Sequence, residues 1–100
     1  AYVEQVVVGN ATAYDVSVEV RPADAGAWLP MGTARHGQDT SFAQVVDQGP
    51  TWIVRFGYAG VEGGEVTLRR EDLERAGWRI TVPEAVGGRL QEAGVVPPPG

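Results

Sequence analysis

Hydrophobic and polar residues alternate along much of the chain, and this alternation predicts β-strands. In the segment 14–21, YDVSVEVR, one face carries a tyrosine and three valines, and the other carries Asp, Ser, Glu and Arg. The segment 51–58, TWIVRFGY, alternates in the same way and forms an aromatic stripe of Trp52, Val54, Phe56 and Tyr58. Because successive side chains of a strand point to opposite faces, each segment is expected to bury one face and expose the other.

Five further segments complete a set of seven predicted strands separated by Gly, Pro, Asn and Asp. These segments are residues 2–9, 27–34, 40–47, 65–70 and 78–82. Pro30 has no amide hydrogen to give to a sheet ladder, so the third strand is expected at a sheet edge or at a bulge. The glycine-rich stretch AGVEGG, residues 59–64, is expected to be a flexible hairpin loop.

Seven short strands with turns about ten residues apart predict an all-β fold. We expect an immunoglobulin-like antiparallel β-sandwich, with a small barrel as the alternative. The aromatic stripe is expected to form the core, because without it the chain has too little apolar bulk; the alternative is an exposed platform that binds a ligand. Trp28 is expected to pack centrally on the third strand.

Two short helices are predicted near the C-terminus. REDLERAG, residues 70–77, ends at Gly77, which suits the left-handed position after a helix. PEAVGGRLQEAG, residues 83–94, begins at Pro83, which fits the first helical position. We therefore expect one domain over residues 1–94 and a Pro-rich tail or linker over residues 95–100.

Charge and composition exclude several classes of function. A net charge of −5 disfavours binding to nucleic acid or to an anionic membrane surface. The absence of cysteine removes disulfides, thiolate metal sites and a cysteine nucleophile. All 8 basic residues are arginine, and with the abundant Ala, Gly and Val this indicates a GC-rich bacterial genome such as that of an actinobacterium.

Candidate catalytic and metal-binding residues are few. His36 is the one histidine and Ser17 and Ser41 are the only serines, and no nucleophile-elbow glycines surround Ser41. We therefore predict no enzymatic activity, no cofactor and no resident metal. Acidic residues of the loops leave calcium as a weaker alternative; these are Asp15, Asp39, Asp47, Glu62 and Glu65. Asn10-Ala11-Thr12 matches a glycosylation sequon, and its simpler interpretation is an Asx-type turn between two strands.

Three pieces of the sequence, VVVGNAT, YDVSVEVR and DQGPTWIVRF, together resemble bacterial immunoglobulin-like extracytoplasmic domains of the CARDB and FxLyD kind. The resemblance extends over residues 5–60. It implies an exported or membrane-anchored accessory domain without catalytic residues. The sequence starts at Ala1 rather than at Met, so we expect either that Met was trimmed before this small residue or, as the resemblance favours, that a leader or membrane anchor precedes it.

Four residues are the candidates for contact with a partner, namely Trp28, Trp78, Arg55 and Tyr58. Aromatic residues and arginine dominate the energetic centres of protein interfaces. We therefore expect a non-catalytic interaction or structural module with a protein partner. The alternatives are a carbohydrate- or calcium-binding β-sandwich and a cytoplasmic subunit of a larger assembly. Exposed tryptophans would favour the carbohydrate alternative, and a large apolar patch on one sheet face would favour the assembly subunit.

Overall fold

Seven strands and two short helices make up the fold. The computed structural model describes residues 1–24 and 26–100. The strands are β1 (Tyr2–Asn10), β2 (Val16–Pro22), β3 (Leu29–Ala34), β4 (Gln38–Val46), β5 (Thr51–Tyr58), β6 (Val61–Arg69) and β7 (Arg79–Thr81), and the helices are α1 (Arg70–Arg75) and α2 (Glu84–Glu92). The predicted seven-stranded β-sandwich with two helices near the C-terminus is confirmed.

The strands form two separate sheets. One has three strands in the order β4-β1-β7, and the other has four strands in the order β3-β2-β5-β6. Pairing is antiparallel except between β1 and β7, which run parallel. A sandwich rather than a barrel follows from the two separate sheets. The sheets were expected to be antiparallel, and the parallel pair of β1 and β7 differs from that expectation. It forms because β7, near the other end of the chain, lies beside the first strand.

The aromatic stripe of β5 lies in the core. Trp52, Val54 and Phe56 are buried, and the indole Nε1 of Trp52 donates a hydrogen bond of 3.1 Å to the Gly49 carbonyl oxygen. The apolar face of β2 is buried against them, as its alternation predicts. Tyr58, at the end of the stripe, is half-buried and its ring centroid lies 5.5 Å from that of Tyr14. The stripe is therefore core rather than an exposed platform for ligands.

Asn10 connects three parts of the fold at the end of β1. Its side-chain amide donates to the carbonyl oxygens of Tyr14 at 2.7 Å and Ala34 at 2.9 Å. Its Oδ1 accepts from the amide and the hydroxyl of Thr12 at 3.0 and 2.7 Å. The predicted Asx-type turn is confirmed, and Asn10 is 3% exposed, so the folded chain hides the sequon.

The prediction of a flexible loop at residues 59–64 is wrong. The turn consists of Ala59 and Gly60, which both have positive φ, and β6 begins at Val61. Gly63 and Gly64 lie within the strand under α2, where a Cβ on Gly63 would stand 2.6 Å from a methyl group of Val86. These glycines provide space for helix packing rather than loop flexibility.

Local signals at the other elements were interpreted correctly with one exception. Pro30 lies on the edge strand β3, beside a register shift between β2 and β3. Gly77 follows α1 with φ +69°, as expected for a residue that ends a helix. Pro83 was predicted as the first helical residue, and it is instead the N-cap of α2, which begins one position later at Glu84.

Residues after α2 run back along the sandwich. Val95 packs against the core, and its carbonyl oxygen accepts a hydrogen bond of 2.8 Å from the Tyr14 hydroxyl. Within the described part of the chain, neither helix has the length and apolar character required to cross a lipid bilayer.

Candidate interaction surface on the four-stranded sheet

Two of the four candidate contact residues, Trp28 and Arg55, meet at the outer face of the four-stranded sheet. Arg55 projects from β5 on the side opposite the buried stripe, as its alternation predicts. The Trp28 ring lies 4.2 Å from the guanidinium carbon of Arg55. Tyr58 borders the shallow depression beside Arg55, but its ring packs against Tyr14 on the core side of β5. Trp78 lies elsewhere, between β1 and α1.

Cross-strand pairing arranges the charges of this face in a row. Arg55 on β5 is opposite Glu19 on β2 and Glu65 on β6. Its Nε donates a hydrogen bond of 2.7 Å to Glu19 Oε1, and both side chains are about one-third exposed. Opposite charges that face each other across a sheet stabilise it modestly. The pair fixes the direction of the Arg55 guanidinium on an otherwise open surface.

Trp28 lies on the outer face and not in the core, so the expectation that it packs centrally is wrong. It precedes the first residue of β3, which is an edge strand, and it is half-buried. The guanidinium groups of Arg55 and Arg21 lie 4.2 and 5.1 Å from its ring centroid. Cation–π attraction of about 0.5–1 kcal/mol for each arginine holds the indole against the sheet.

A shallow depression of about 270 Å³ lies beside Arg55. Its lining includes Ser17, Glu19, Gly57, Tyr58, Val61 and Glu62. Gly57 lies at the floor of the depression, and a side chain does not fit there, because a Cβ would stand 2.9 Å from the Val61 carbonyl oxygen. The Ser17 hydroxyl donates to the Gly57 carbonyl at 3.1 Å. Two carboxylates and one arginine give the depression a small negative charge.

The loop acids proposed as calcium ligands are separated from one another. Asp15 bonds His36, Asp39 forms a two-point ion pair with Arg79 at 2.8 and 3.0 Å, and Asp47 pairs with Arg70 at 2.8 Å. No group of three or more His, Asp or Glu suited to a metal ion occurs in residues 1–24 and 26–100.

Each of these ion pairs shifts the pKa values of its partners. A hydrogen bond from the guanidinium of Arg79 lowers the pKa of Asp39, and one from Arg70 lowers the pKa of Asp47. Hydrogen bonds from the His36 backbone amide and then from its ring lower the pKa of Asp15. The same ring bond to Asp15 is the main cause that raises the pKa of His36. These acids therefore remain ionised and stabilise neighbouring loops and strands.

The His36–Asp15 pair resembles the orienting half of a catalytic triad, since Nδ1 lies 2.6 Å from the carboxylate. Both serine hydroxyls are bonded elsewhere. Ser17 donates to Gly57, and Ser41 accepts from the Gln5 side chain at 3.1 Å. The histidine therefore has no serine nucleophile within its hydrogen-bonding network.

Trp78 has a left-handed backbone, with φ +61°, which is uncommon for a bulky residue. Its ring is half-buried, lies 5.7 Å from that of Trp52, and has the Arg70 guanidinium 5.2 Å from its centroid. The residue is thus supported by the core on one side and reaches solvent on the other.

Four further residues of the outer surface were not among the predicted contact residues, namely Arg21, Ser17, Glu19 and Gly57. Alternation in β2 already assigns the first three to the polar face. Their proximity to Trp28 and Arg55 depends on cross-strand register and on the course of the chain before β3, and neither has a local signal.

Comparison with known proteins identified no relative: no protein-family model, no curated protein and no solved structure matches the chain.

Proposed function

We propose that this chain is a non-catalytic interaction domain of a bacterial exported or membrane-anchored protein. It binds a protein partner through the outer face of the four-stranded sheet. The observation that carries this proposal is the placement of Trp28 on that face, against Arg55 and Arg21, rather than in the core. Tryptophan and arginine are the residues most enriched among the energetic centres of interfaces.

The depression beside Arg55 completes this surface. Its volume of about 270 Å³ and its position beside the Trp28–Arg55 contact suit one side chain of a partner. Glu19 and Glu62 favour a basic or hydrogen-bond-donating group there. Binding that covers Trp28 desolvates its contacts with arginine, which strengthens cation–π attraction relative to the exposed state.

The proposed cellular context rests on the sequence and on the architecture. Seven strands divided between a three-stranded and a four-stranded sheet agree with the architecture of immunoglobulin-like domains, many of which differ in strand order. The feature of the strand order in this chain is that β2 and β3, which are consecutive in sequence, lie in the same sheet. The resemblance of residues 5–60 to extracytoplasmic accessory domains supports export or membrane anchoring. The use of arginine for every basic residue, with abundant Ala, Gly and Val, supports an actinobacterial source.

Site-specific photo-crosslinking in the native bacterium tests the proposal. A photoreactive amino acid replaces Ser17, which is exposed beside the depression, or Gln91, which is exposed on α2 as the matched control. We expect a discrete crosslinked protein from position 17 and none from position 91. Trp28→Ala should abolish the crosslink while the circular dichroism spectrum stays unchanged. Equal crosslinking from both positions, or none from position 17, would contradict the proposal.

A further inference from the structure

A second surface lies between the first half of β1 and the helix α1. An open groove of about 360 Å³ is lined on one side by residues 2–5 of β1 and on the other by Arg70 and Glu74. Trp78 also lines it. It shares no lining residue with the depression beside Arg55.

The strand that lines this groove has an unpaired edge. β4 pairs with β1 along its whole length, from Tyr2 to Asn10, whereas β7 pairs only with Val7–Gly9. The hydrogen bond of 3.0 Å from the Val7 amide to the Trp78 carbonyl marks the near end of that pairing. Along Tyr2–Val6, the described structure places a strand on one side of β1 only. This open edge is about 13 Å long at a strand rise of about 3.3 Å per residue.

The opposite wall of the groove is held in place. Arg70 bonds Glu74 one turn along α1 at 2.9 Å and Asp47 at 2.8 Å. Trp78 is fixed by a bond of 2.7 Å from its amide to the Leu73 carbonyl and by contact with Trp52. Its left-handed backbone is costly for a bulky residue, and such strain recurs where a side chain must be held for binding.

We propose that this groove binds an extended segment of a protein partner, which adds to the free edge of β1 as a further strand. Unpaired backbone groups along an edge are a template for strand addition, and neighbouring pockets then select alternate side chains. Because α1 forms the facing wall, the groove admits a single extended chain. The sheet edge of a second folded copy would meet the helix instead.

Side chains of the groove define the chemistry of the segment. Tyr2 is 65% exposed, and with the half-buried Trp78 it offers aromatic surface to an apolar side chain. Glu4 is exposed and has no ion-pair partner among the described residues. Tyr2 and Glu4 are two positions apart and project on the same face of β1, so the segment that fits carries an apolar residue and, two positions along, an arginine or lysine that faces Glu4.

Selection from a displayed library of short linear peptides against the whole chain tests the proposal. We expect binders that combine an apolar residue with arginine or lysine. Glu4→Arg should weaken their binding about tenfold by fluorescence anisotropy. Glu92→Arg produces the same change in net charge on an exposed position of α2 and should leave the affinity unchanged. Equal loss of affinity in both variants, or the recovery of no binders, overturns the proposal.

Methylation of single backbone nitrogens in a selected peptide tests strand addition itself. Methylation should abolish binding at alternate positions, because alternate amides of an added strand bond the edge. Amide hydrogen exchange should slow within residues 2–6 when the peptide is present. Binding that tolerates every methylation and leaves this exchange unchanged refutes strand addition. Peptide recognition is likewise refuted if soluble oligosaccharides bind and peptides do not.

A variant that remains folded separates the test of the groove from the test of the proposed function. Trp28→Ala removes the anchor on the four-stranded sheet and leaves the groove between β1 and α1 untouched. Peptide binding should survive this substitution. If Trp28→Ala loses the position-17 crosslink and retains peptide binding, the two surfaces are distinct. If Trp28→Ala loses peptide binding, a binding site at β1 is contradicted.

Discussion

Replacement of Asn10 by alanine is expected to destabilise the fold strongly, because its side chain bonds three parts of the fold. The substitution removes two donated bonds, to the carbonyl oxygens of Tyr14 and Ala34, and the acceptor that orders Thr12. Tyr14 keeps a bond of 3.3 Å from the Thr12 hydroxyl, so its oxygen retains a partner. The carbonyl oxygen of Ala34, a buried residue, loses the bond that Asn10 donates.

The magnitude follows from these bonds. Each lost hydrogen bond contributes about 1 kcal/mol; the Asn10 side chain makes four, and the Tyr14 oxygen alone retains a bond from Thr12 in place of the one lost. N10A should therefore lower the free energy of unfolding by about 3 kcal/mol. That is a large part of the roughly 5–15 kcal/mol that stabilises a typical domain.

Urea unfolding followed by tryptophan fluorescence measures this effect, with the m-value as a check that the unfolded state is unchanged. Thr12→Ala is the matched control, because it removes a hydroxyl from the same turn and retains both bonds that Asn10 donates. It should lower the free energy of unfolding by about 1 kcal/mol. A loss below about 1 kcal/mol in N10A, or equal losses in N10A and T12A, would refute the reasoning.

Three further predictions concern substitutions at single residues. Because its bond to Asp15 raises the pKa of His36 above 6.5, the pair stabilises the fold below that pH, and the contribution is lost as pH rises through the raised value. Urea midpoints of the wild type should therefore fall relative to those of H36Q between about pH 6 and pH 8, and parallel pH profiles would disprove this linkage. Gly63→Ala should lower the free energy of unfolding by about 1–3 kcal/mol, because the added Cβ would stand 2.6 Å from Val86. The double variant with V86A should recover part of this loss, and additive losses from the two substitutions would count against the clash. Gly88→Ala should stabilise the protein by about 1 kcal/mol, because alanine has the higher helix propensity and its Cβ would meet no atom within 4 Å. An unchanged thermal midpoint would show this interpretation to be wrong.

Alternation along the chain was sufficient to predict the strands β2 and β5 and the face of each that forms the core. The period of two in β2 and β5 identifies the buried face directly, because burial on one side of a sheet requires that pattern. The turn at Asn10 was also predictable, since Asn followed two positions later by Thr forms local bonds. These features depend on residues close together in sequence.

Features that depend on distant residues could not be predicted. Gly63 and Gly64 carry the signal of a loop, and their place in β6 follows from the packing of α2, which comes later in the chain. Trp28 has an apolar character that suggests a core position, and its outer placement follows from the two arginines beneath it. The groove at β1 exists because β7 is only three residues long, which no pattern within β1 reveals.

The parallel pairing of β1 with β7 has a consequence for the order of folding. Val7 pairs with Arg79, so the three-stranded sheet is complete only after β7 has left the ribosome. The partners of the four-stranded sheet lie within Val16–Arg69 and are synthesised earlier. Domains dominated by such distant pairings fold slowly, on a timescale of about milliseconds to seconds. During that interval the valine-rich β1 would have its later strand partner missing, and the nascent chain would be most exposed to aggregation or to chaperones.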